Sequence, residues 1–304
     1  MSEERDRRRW GRAFRRVGTG LGLASVAGYL AISIMSANIL TRSGTADAAN
    51  AAAFALPEAA RPWSVTTEDG LTLRGGWLPD PSSDRLLILV HGMRESSEHL
   101  ADLAVDLHRR GFNVLFFDLR GHGRSDPHRL TMGRRERADL LAALKWARGE
   151  GFTPDRIGWL GRSMGGAMLV MEGADNPEIG VVVLDSPYGN LPVLLDDQLT
   201  RHSHLPKVFN PGIILAAHQV YGVRTDDLMP IESARQWGDR PMLLIHGDQD
   251  AIVPIEQARS LAQAAGPSCE LRILRGVGHV RAYRQDPSGY ADQVAAFFRS
   301  HLGR

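Results

Sequence analysis

The sequence predicts an α/β fold with a mostly parallel sheet flanked by helices. Short apolar runs typical of strands buried on both faces lie at residues 86–90, 114–117, 157–160, 181–184 and 241–245, and residues 270–274 are interpreted as a further strand. Segments with helical spacing alternate with them, at residues 97–110, 134–148, 255–264 and 290–301. This alternation indicates parallel strands joined by right-handed helical crossovers. Before them, residues 63–67 and 71–78 alternate around a Glu-Asp-Gly turn, which predicts a β-hairpin.

Composition and charge narrow the class of protein. The 304 residues suffice for one large domain or two small ones, and a hydrophobic content of 43% supports a sizeable core. Because 36 basic residues face 35 acidic ones, the chain has no overall footprint of a nucleic-acid-binding protein. The single cysteine, Cys269, excludes an intrachain disulfide and a cysteine-rich metal site.

The N-terminus predicts a membrane anchor. Residues 1–16 carry seven arginines against three acids, and residues 17–40 carry no charge. As a helix, the second segment is about 36 Å long, against about 30 Å for the apolar core of a bilayer. The basic flank should stay in the cytoplasm. We therefore expect a single transmembrane helix at residues 17–40 of a cell-membrane protein, with the rest of the chain outside the cytoplasm.

Two alternatives remain for this segment. A cleaved signal peptide is one, with residues 46–48, Ala-Asp-Ala, as the cleavage site, although its apolar core is usually about 7–15 residues long. A soluble amphipathic helix is the other. In each case, the small and polar residues 41–61 are interpreted as a linker, and residues 62–304 as the globular domain.

The strongest chemical signal is Gly161-Arg162-Ser163-Met164-Gly165. An apolar run leads into it and a helix-compatible segment follows, which is the strand–turn–helix setting of a nucleophilic serine. The small residues on either side leave room for a sharp turn. The Met164 amide, at the start of the helix, would then point at an oxyanion formed on Ser163. A glycine-rich turn made only for packing is the alternative.

A serine nucleophile needs a base, and His279 is the best candidate among eleven histidines. It follows the predicted strand 270–274 after two glycines that free the loop to present the imidazole at a sheet edge. It also follows the serine along the chain, as the order Ser, acid, His requires in this architecture.

The acid should be a carboxylate at a strand end between Ser163 and His279. Asp250 is preferred because it follows the run 241–245 in His246-Gly247-Asp248-Gln249-Asp250. Asp248 and Asp185 remain alternatives. The acid would hold the imidazole tautomer and balance the charge of the imidazolium.

A second oxyanion amide should come from the loop after residues 86–90, which makes Met93 the partner of Met164. In this loop, Gly92 permits close approach of the backbone. His91 is interpreted as a structural hydrogen-bonding residue, with a base as the alternative.

One long segment interrupts the alternation. Residues 187–237 lack a clear strand, and their helical patches are expected to be broken by Pro192, Pro206 and Pro211. Such an insertion after a strand's C-terminal end is usually functional. We interpret it as a cap over Ser163, with a packing excursion as the alternative.

Five motifs in order resemble the α/β-hydrolase superfamily. They are His91-Gly92-Met93, Asp118-x-Arg120-Gly121-His122-Gly123-x-Ser125, Gly161-x-Ser163-x-Gly165-Gly166, His246-Gly247-x-x-Asp250-x-x-Val253-Pro254 and Gly276-x-Gly278-His279. Together they are most similar to the serine-aminopeptidase-like and monoacylglycerol-lipase-like branch, including membrane-anchored Bem46-like proteins. The likeness covers residues 63–302.

The resemblance implies the α/β-hydrolase fold with a cap insertion, and a serine hydrolase without metal or cofactor. It implies a triad of Ser163, Asp250 and His279, with Met93 and Met164 as oxyanion amides. One departure is that residues 91–94 read His-Gly-Met-Arg, not the His-Gly-Gly-Gly of some lipases and esterases.

Three functions follow as hypotheses. The first is a membrane-anchored serine hydrolase that cleaves a small-molecule or lipid-derived ester. The second is a peptidase or amidase of the same fold, and the third a catalytically silent binding protein. An intact Ser, Asp and His in order argues against silence. A dehalogenase or an epoxide hydrolase is excluded because each needs a carboxylate at position 163.

Overall fold

The computed structural model describes residues 2–42 and 55–303, and side chains within residues 2–17 are described only at Trp10. The cleavage site expected at residues 46–48 therefore lies outside the described residues, as does most of the linker 41–61.

Within the described residues, eight strands form one sheet in the order β1-β2-β4-β3-β5-β6-β7-β8. The strands are β1 Arg61–Thr66, β2 Thr72–Leu78, β3 Leu86–Val90, β4 Asn113–Asp118, β5 Ile157–Arg162, β6 Val181–Asp185, β7 Met242–Gly247 and β8 Cys269–Leu274. β1 pairs antiparallel with β2, and β2 with β4, whereas every later pairing is parallel. The predicted α/β fold with a mostly parallel sheet is confirmed.

Helices flank the sheet in the predicted alternation. Those of the described residues are α1 Ser2–Thr41, α2 Ala101–His108, α3 Arg137–Gly149, α4 Met164–Asp175, α5 Leu191–His202, α6 Asn210–Tyr221, α7 Pro230–Ala234, α8 Ile255–Ala265, α9 Ala282–Gln285 and α10 Pro287–His301. Two of the three prolines expected to break the helices of residues 187–237 instead lie at helix starts. Pro192 and Pro211 are each the second residue of a helix, where a missing amide proton leaves no intrahelical bond unmade.

Burial explains why the strand predictions succeeded. Every residue of β3, β4, β5, β6 and β7 is buried, so these strands read as unbroken apolar runs. Parallel strands end at a common edge of the sheet. The loops after β3, β5, β6, β7 and β8 therefore meet at one edge, which is where ligands of open α/β sheets bind.

Buried charged side chains stabilise the loop after β4. The Asp118 carboxylate accepts hydrogen bonds from the amides of Ser97 (2.6 Å) and Arg124 (2.9 Å). The guanidinium of Arg120, which is fully buried, pairs with Asp139 through Nε at 2.8 Å and with Asp69 through Nη1 at 2.6 Å. The polar residues of this motif hold the loop against its neighbours, since a buried arginine needs such partners.

The chain separates into two compact units, residues 1–41 with 196–222, and residues 42–195 with 223–304. In the first, α1 packs along α6, and the Tyr29 hydroxyl donates a hydrogen bond to the Val208 carbonyl at 3.0 Å. A Cβ placed on Gly212 would lie 2.5 Å from Ser33 Oγ. This small-residue contact is of the kind that packs helices closely in membranes.

One stretch of α1, Gly18–Thr41, is long and apolar enough to span a membrane by length and composition. Its small side chains Ser33, Ala37 and Thr41, which recur every fourth residue, are buried. Most of its large apolar side chains are exposed, including Leu21, Leu23, Val26 and Leu30.

The apolar side chains of the cap, residues 187–237, fall into two groups. Leu191, Leu194, Leu195 and Ile213 are buried. Val193, Val208, Leu215 and Val220 are each more than half exposed, at 58%, 67%, 57% and 54%. Within the part of the chain that the structure describes, the second group is mostly open to solvent.

Candidate active site

Ser163 lies at the turn between β5 and α4, in a backbone conformation that few residues adopt. Its φ is 48° and its ψ −115°. A Cβ on Gly161 would lie 2.5 Å from the Gly166 nitrogen, and one on Gly165 would lie 2.6 Å from the His91 carbonyl oxygen. Both positions therefore require glycine, for the steric reason that the sequence suggested.

The structure brings the three residues predicted for the triad together. His279 Nε2 lies 3.0 Å from Ser163 Oγ, and His279 Nδ1 lies 2.7 Å from Asp250 Oδ2. The imidazole thus joins the hydroxyl and the carboxylate in one hydrogen-bonded chain. This geometry allows proton transfer from the hydroxyl to the ring while the carboxylate fixes the tautomer.

Asp250 is held as an anion. Burial of its side chain would raise its pKa, but hydrogen bonds from His279 and from the amides of Val253 and Ile252 outweigh it, so the pKa lies below the usual value. The two amides donate to Oδ1 at 2.8 and 2.9 Å, which leaves Oδ2 for the imidazole. A second histidine, His246, lies 3.5 Å from Oδ2 and contacts the Val253 carbonyl at 2.9 Å.

The two alternative acids are engaged elsewhere. The Asp248 carboxylate accepts a hydrogen bond from the Gly276 amide at 2.7 Å. Asp185 accepts hydrogen bonds from the hydroxyls of Tyr290 and Ser186, each at 3.0 Å. Burial raises the pKa of Asp185, which disfavours the anion that an orienting acid must supply.

Ser186 links β6 to the loop that carries His279. Its hydroxyl donates to Asp185 and accepts a hydrogen bond from the Val280 amide at 3.3 Å. Both Ser186 (φ 55°) and Val280 (φ 47°) adopt left-handed backbone conformations, which for a β-branched residue is a marked outlier. Strain of this kind persists only where surrounding contacts hold it.

Of the two residues predicted to supply oxyanion amides, Met164 follows Ser163 in the chain and Met93 lines the same cavity as Ser163. Met164 is the first residue of α4, where amides have no intrahelical partner. Met93 follows Gly92, and a Cβ on that glycine would lie 3.2 Å from the Ser163 Cβ. The Gly92 amide donates to Glu95 Oε2 at 2.8 Å, and the Glu95 amide closes the turn onto the Gly92 carbonyl at 3.3 Å.

His91 makes structural hydrogen bonds. Its Nε2 accepts from the Leu119 amide at 3.0 Å, so Nδ1 carries the proton that is donated to the Gly92 carbonyl at 2.7 Å. Burial, with a contribution from His122, lowers the pKa of His91 to about 3 and keeps the ring neutral.

A cavity of about 810 Å³ opens over the hydroxyl of Ser163. Its walls come from residues 92–95, 249–252 and 276–285. Met93 and Ile252 are the exposed large apolar side chains of its lining, with exposures of 38% and 46%. Arg281 and Arg284 line another side.

Two family models cover the globular domain. The family described as serine aminopeptidase, S33 matches residues 81–214, and the one described as TAP-like protein matches residues 215–301. An uncharacterized protein of Mycobacterium tuberculosis is 30% identical over 218 residues, which are 71% of this chain and 70% of that protein. The chain therefore belongs to the α/β-hydrolase superfamily.

Relatives with named activities narrow the class to its esterase- and lipase-like part. The monoacylglycerol lipase of Mycolicibacterium smegmatis is 25% identical over 258 residues, which are 74% of this chain and 92% of that enzyme. An esterase of Pyrococcus furiosus superimposes with a TM-score of 0.66 at 26% identity, covering 80% of this chain and 92% of that one.

Sequence reasoning missed three residues of the site. Ser186 and Glu95 act through hydrogen bonds to backbone amides that only the folded chain brings near. Arg162, next to the nucleophile, is buried, and its Nη1 donates to the His99 carbonyl at 2.9 Å. Its place beside Ser163 was the one available signal, because a charged residue at the end of an apolar strand needs a partner.

Replacing Ser186 tests whether it positions His279. Ser186→Ala removes the hydroxyl and keeps the backbone preference, so the His279 loop should shift while the fold persists. We expect kcat to fall by about tenfold to a hundredfold, as a displacement of about 1 Å can cause. KM should change little, because the cavity walls remain.

The measurement is steady-state kinetics on a p-nitrophenyl ester, with circular dichroism to check the fold. Ser268→Ala is the matched control, since that hydroxyl bonds to the Gly238 carbonyl, away from the His279 loop. An unchanged kcat in Ser186→Ala would contradict the positioning role.

Proposed function

We propose that the protein is a membrane-anchored serine hydrolase that cleaves a carboxylic ester through an acyl-enzyme intermediate. The observation that carries this proposal is the hydrogen-bonded chain of Ser163, His279 and Asp250 beneath an open cavity. Esterase and lipase relatives support the ester as substrate.

The proposed reaction begins with attack by Ser163 Oγ on the ester carbonyl carbon. His279 Nε2 takes the hydroxyl proton, and the Asp250 carboxylate balances the imidazolium. The amides of Met93 and Met164 stabilise the tetrahedral oxyanion. When the intermediate collapses, His279 protonates the leaving alcohol, and the acyl group stays on Ser163.

Water then completes the cycle. His279 takes a proton from a water molecule, whose oxygen attacks the acyl carbon. A second oxyanion forms against the same amides. Its collapse releases the carboxylic acid and returns the proton to Ser163.

A peptidase or amidase is the second candidate, and the match to the serine aminopeptidase family favours it. The same three residues would form the acyl-enzyme from an amide. The apolar side of the cavity at Met93 and Ile252 favours an acyl chain over a charged aminoacyl group. A catalytically silent binding protein stays the third hypothesis, which active-site labelling tests directly.

Variants of the three residues test the mechanism. Ser163→Ala should abolish fluorophosphonate labelling, and Ser163→Ala and His279→Ala should each lower kcat by about a millionfold, because nucleophile and base act as a unit. Asp250→Asn should cost about ten-thousandfold, since the imidazole loses its tautomer and its counter-charge.

The matched comparisons are Ser268→Ala, which should label like the wild type, and Asp185→Asn. If Asp250→Asn kept near wild-type turnover while Asp185→Asn had none, the acid would be Asp185. Labelling of Ser163→Ala at the wild-type rate would reject the nucleophile.

Acyl-chain length tests the substrate class. Each methylene buried against the apolar side of the cavity contributes about 0.8 kcal/mol, so two added carbons should tighten binding by about tenfold until the space is filled. We expect kcat/KM to rise across p-nitrophenyl esters from acetate toward medium chains, and to exceed the values for aminoacyl p-nitroanilides. Flat ester values with efficient anilide cleavage would favour the peptidase.

A fused reporter tests the anchor. We propose that the span inserts once, with its basic flank in the cytoplasm and the globular domain outside, in the cell membrane. An alkaline phosphatase fused after Arg304 should then be active, because it folds only outside the cytoplasm. Leu30→Arg should reduce that activity, since a central arginine costs about 2.5–3.5 kcal/mol on insertion scales.

The control for this experiment is Leu141→Arg, which changes an exposed leucine of the globular domain and should leave reporter activity intact. Recovery of a soluble form that begins near residue 49 would show cleavage and reject the anchor.

A further inference from the structure

A second cavity adjoins the first. Its volume is about 930 Å³, against about 810 Å³ for the cavity over Ser163. The two share a wall, formed by Glu95, His279, Val280, Arg281 and Arg284. The second cavity therefore lies directly beside the imidazole of the candidate site.

Two arginines on the shared wall lack partners. The side chains of Arg281 and Arg284 are exposed, and neither is hydrogen-bonded or ion-paired to any residue that the structure describes. Unpaired guanidinium groups on a cavity wall are available to a ligand. They present planar donor pairs that match a carboxylate or a phosphate.

A third arginine lies deeper in the second cavity. Arg162 is only 5% exposed, and its Nε has no hydrogen-bond partner. Its guanidinium carbon lies 5.9 Å from the centre of the Tyr283 ring. Burial raises the pKa of Asp185 and the charge of Arg162 opposes that rise, so only the Nε donor of this arginine is unmet.

The acids of this cavity are partly neutralised. Asp106 accepts a hydrogen bond from the Tyr283 hydroxyl at 2.8 Å and lies 3.6 Å from Arg109. Glu95 accepts from the Gly92 amide. With Arg109 set against Asp106 and Arg162 against Asp185, the cations left on the wall are Arg281 and Arg284, which lie on the wall shared with the first cavity.

The position of His279 determines which half of an ester substrate lies next to the second cavity. In ester hydrolysis the imidazolium protonates the leaving alcohol, so the alcohol lies on the imidazole's side of Ser163. That side is the shared wall. The acyl chain is then left to the apolar side of the first cavity, at Met93 and Ile252.

We propose that the second cavity receives the alcohol half of the ester and that Arg281 and Arg284 bind an anionic group on it, a carboxylate or a phosphate. This specificity rests on the ester hydrolysis proposed above. The arginines act on substrate binding and leave the bond-breaking steps to Ser163 and His279.

The test uses butyrate esters that differ by one charge. The butyrates of meta-hydroxybenzoate and meta-hydroxybenzamide share an acyl group and a nearly isosteric alcohol. We expect the wild type to hydrolyse the carboxylate ester with a kcat/KM about tenfold higher, the scale of one charge-assisted contact at an exposed site. The butyrate of meta-hydroxyphenyl phosphate distinguishes a phosphate preference from a carboxylate preference.

Arg281→Gln and Arg284→Gln, alone and combined, should reduce this preference, and the double variant should abolish it. Hydrolysis of the neutral hydroxybenzamide ester should change far less than hydrolysis of the carboxylate ester, because only the carboxylate loses a charged partner. Arg275→Gln is the matched control, because this exposed arginine lies on the same loop but lines neither cavity. Raised ionic strength should lower the wild-type preference without any variant.

Equal rates for the charged and neutral esters, or a preference that persists in the double variant, would overturn the anionic specificity. Turnover of the neutral ester that depends on Ser163 would still support the proposed hydrolase in that case. If neither ester were hydrolysed and Ser163 were not labelled, both the proposed hydrolase activity and the proposed anionic specificity would be rejected.

Discussion

The turn at Ser163 depends on the absence of side chains around it. Residues 161 and 165 lie so close to neighbouring backbone that a Cβ at either would overlap it, and Ser163 itself takes a left-handed φ. Only this turn lets a strand pass directly into a helix with the hydroxyl raised above the sheet edge. The position of the hydroxyl sets where the base, the acid and the oxyanion amides must lie. The remaining loops of that edge are arranged around it.

Sheet topology then supplies the other groups. The loops after β3, β7 and β8 bring Met93, Asp250 and His279 to the edge where β5 delivers Ser163. Each arises from a different part of the chain, so a shift in any one strand would separate them. The hydrogen bonds to Asp250 and the link from Ser186 to Val280 fix the two loops that carry the proposed acid and the proposed base. The strands set the approximate position of each side chain of the candidate site, and these local hydrogen bonds set its final position.

Much of the fold and of the candidate site could be predicted from the sequence because buried strands have a recognisable pattern of apolar residues. Strands buried on both faces appear as unbroken apolar runs, and a strand end followed by glycine and a polar residue marks the functional edge. The order of Ser163, Asp250 and His279 along the chain followed from the architecture. Contacts between segments that are distant in the sequence could not be predicted in this way. The hydrogen bond between Ser186 and Val280 and the second cavity beside His279 are examples. The prediction that prolines break the helices of residues 187–237 was wrong for Pro192 and Pro211. Proline disrupts the interior of a helix but is favoured in its first turn, and residue spacing does not distinguish these two positions.

The packing of α1 against α6 has a consequence for maturation. A signal peptidase acting near residue 48 would remove the helix whose Tyr29 bonds to Val208 and whose Ser33 faces Gly212. Residues 210–221 would then lose the helix against which Gly212 is packed. The apolar surface of α6 that now contacts α1 would be exposed to solvent. This packing favours a mature protein that keeps the helix over one from which it is cleaved.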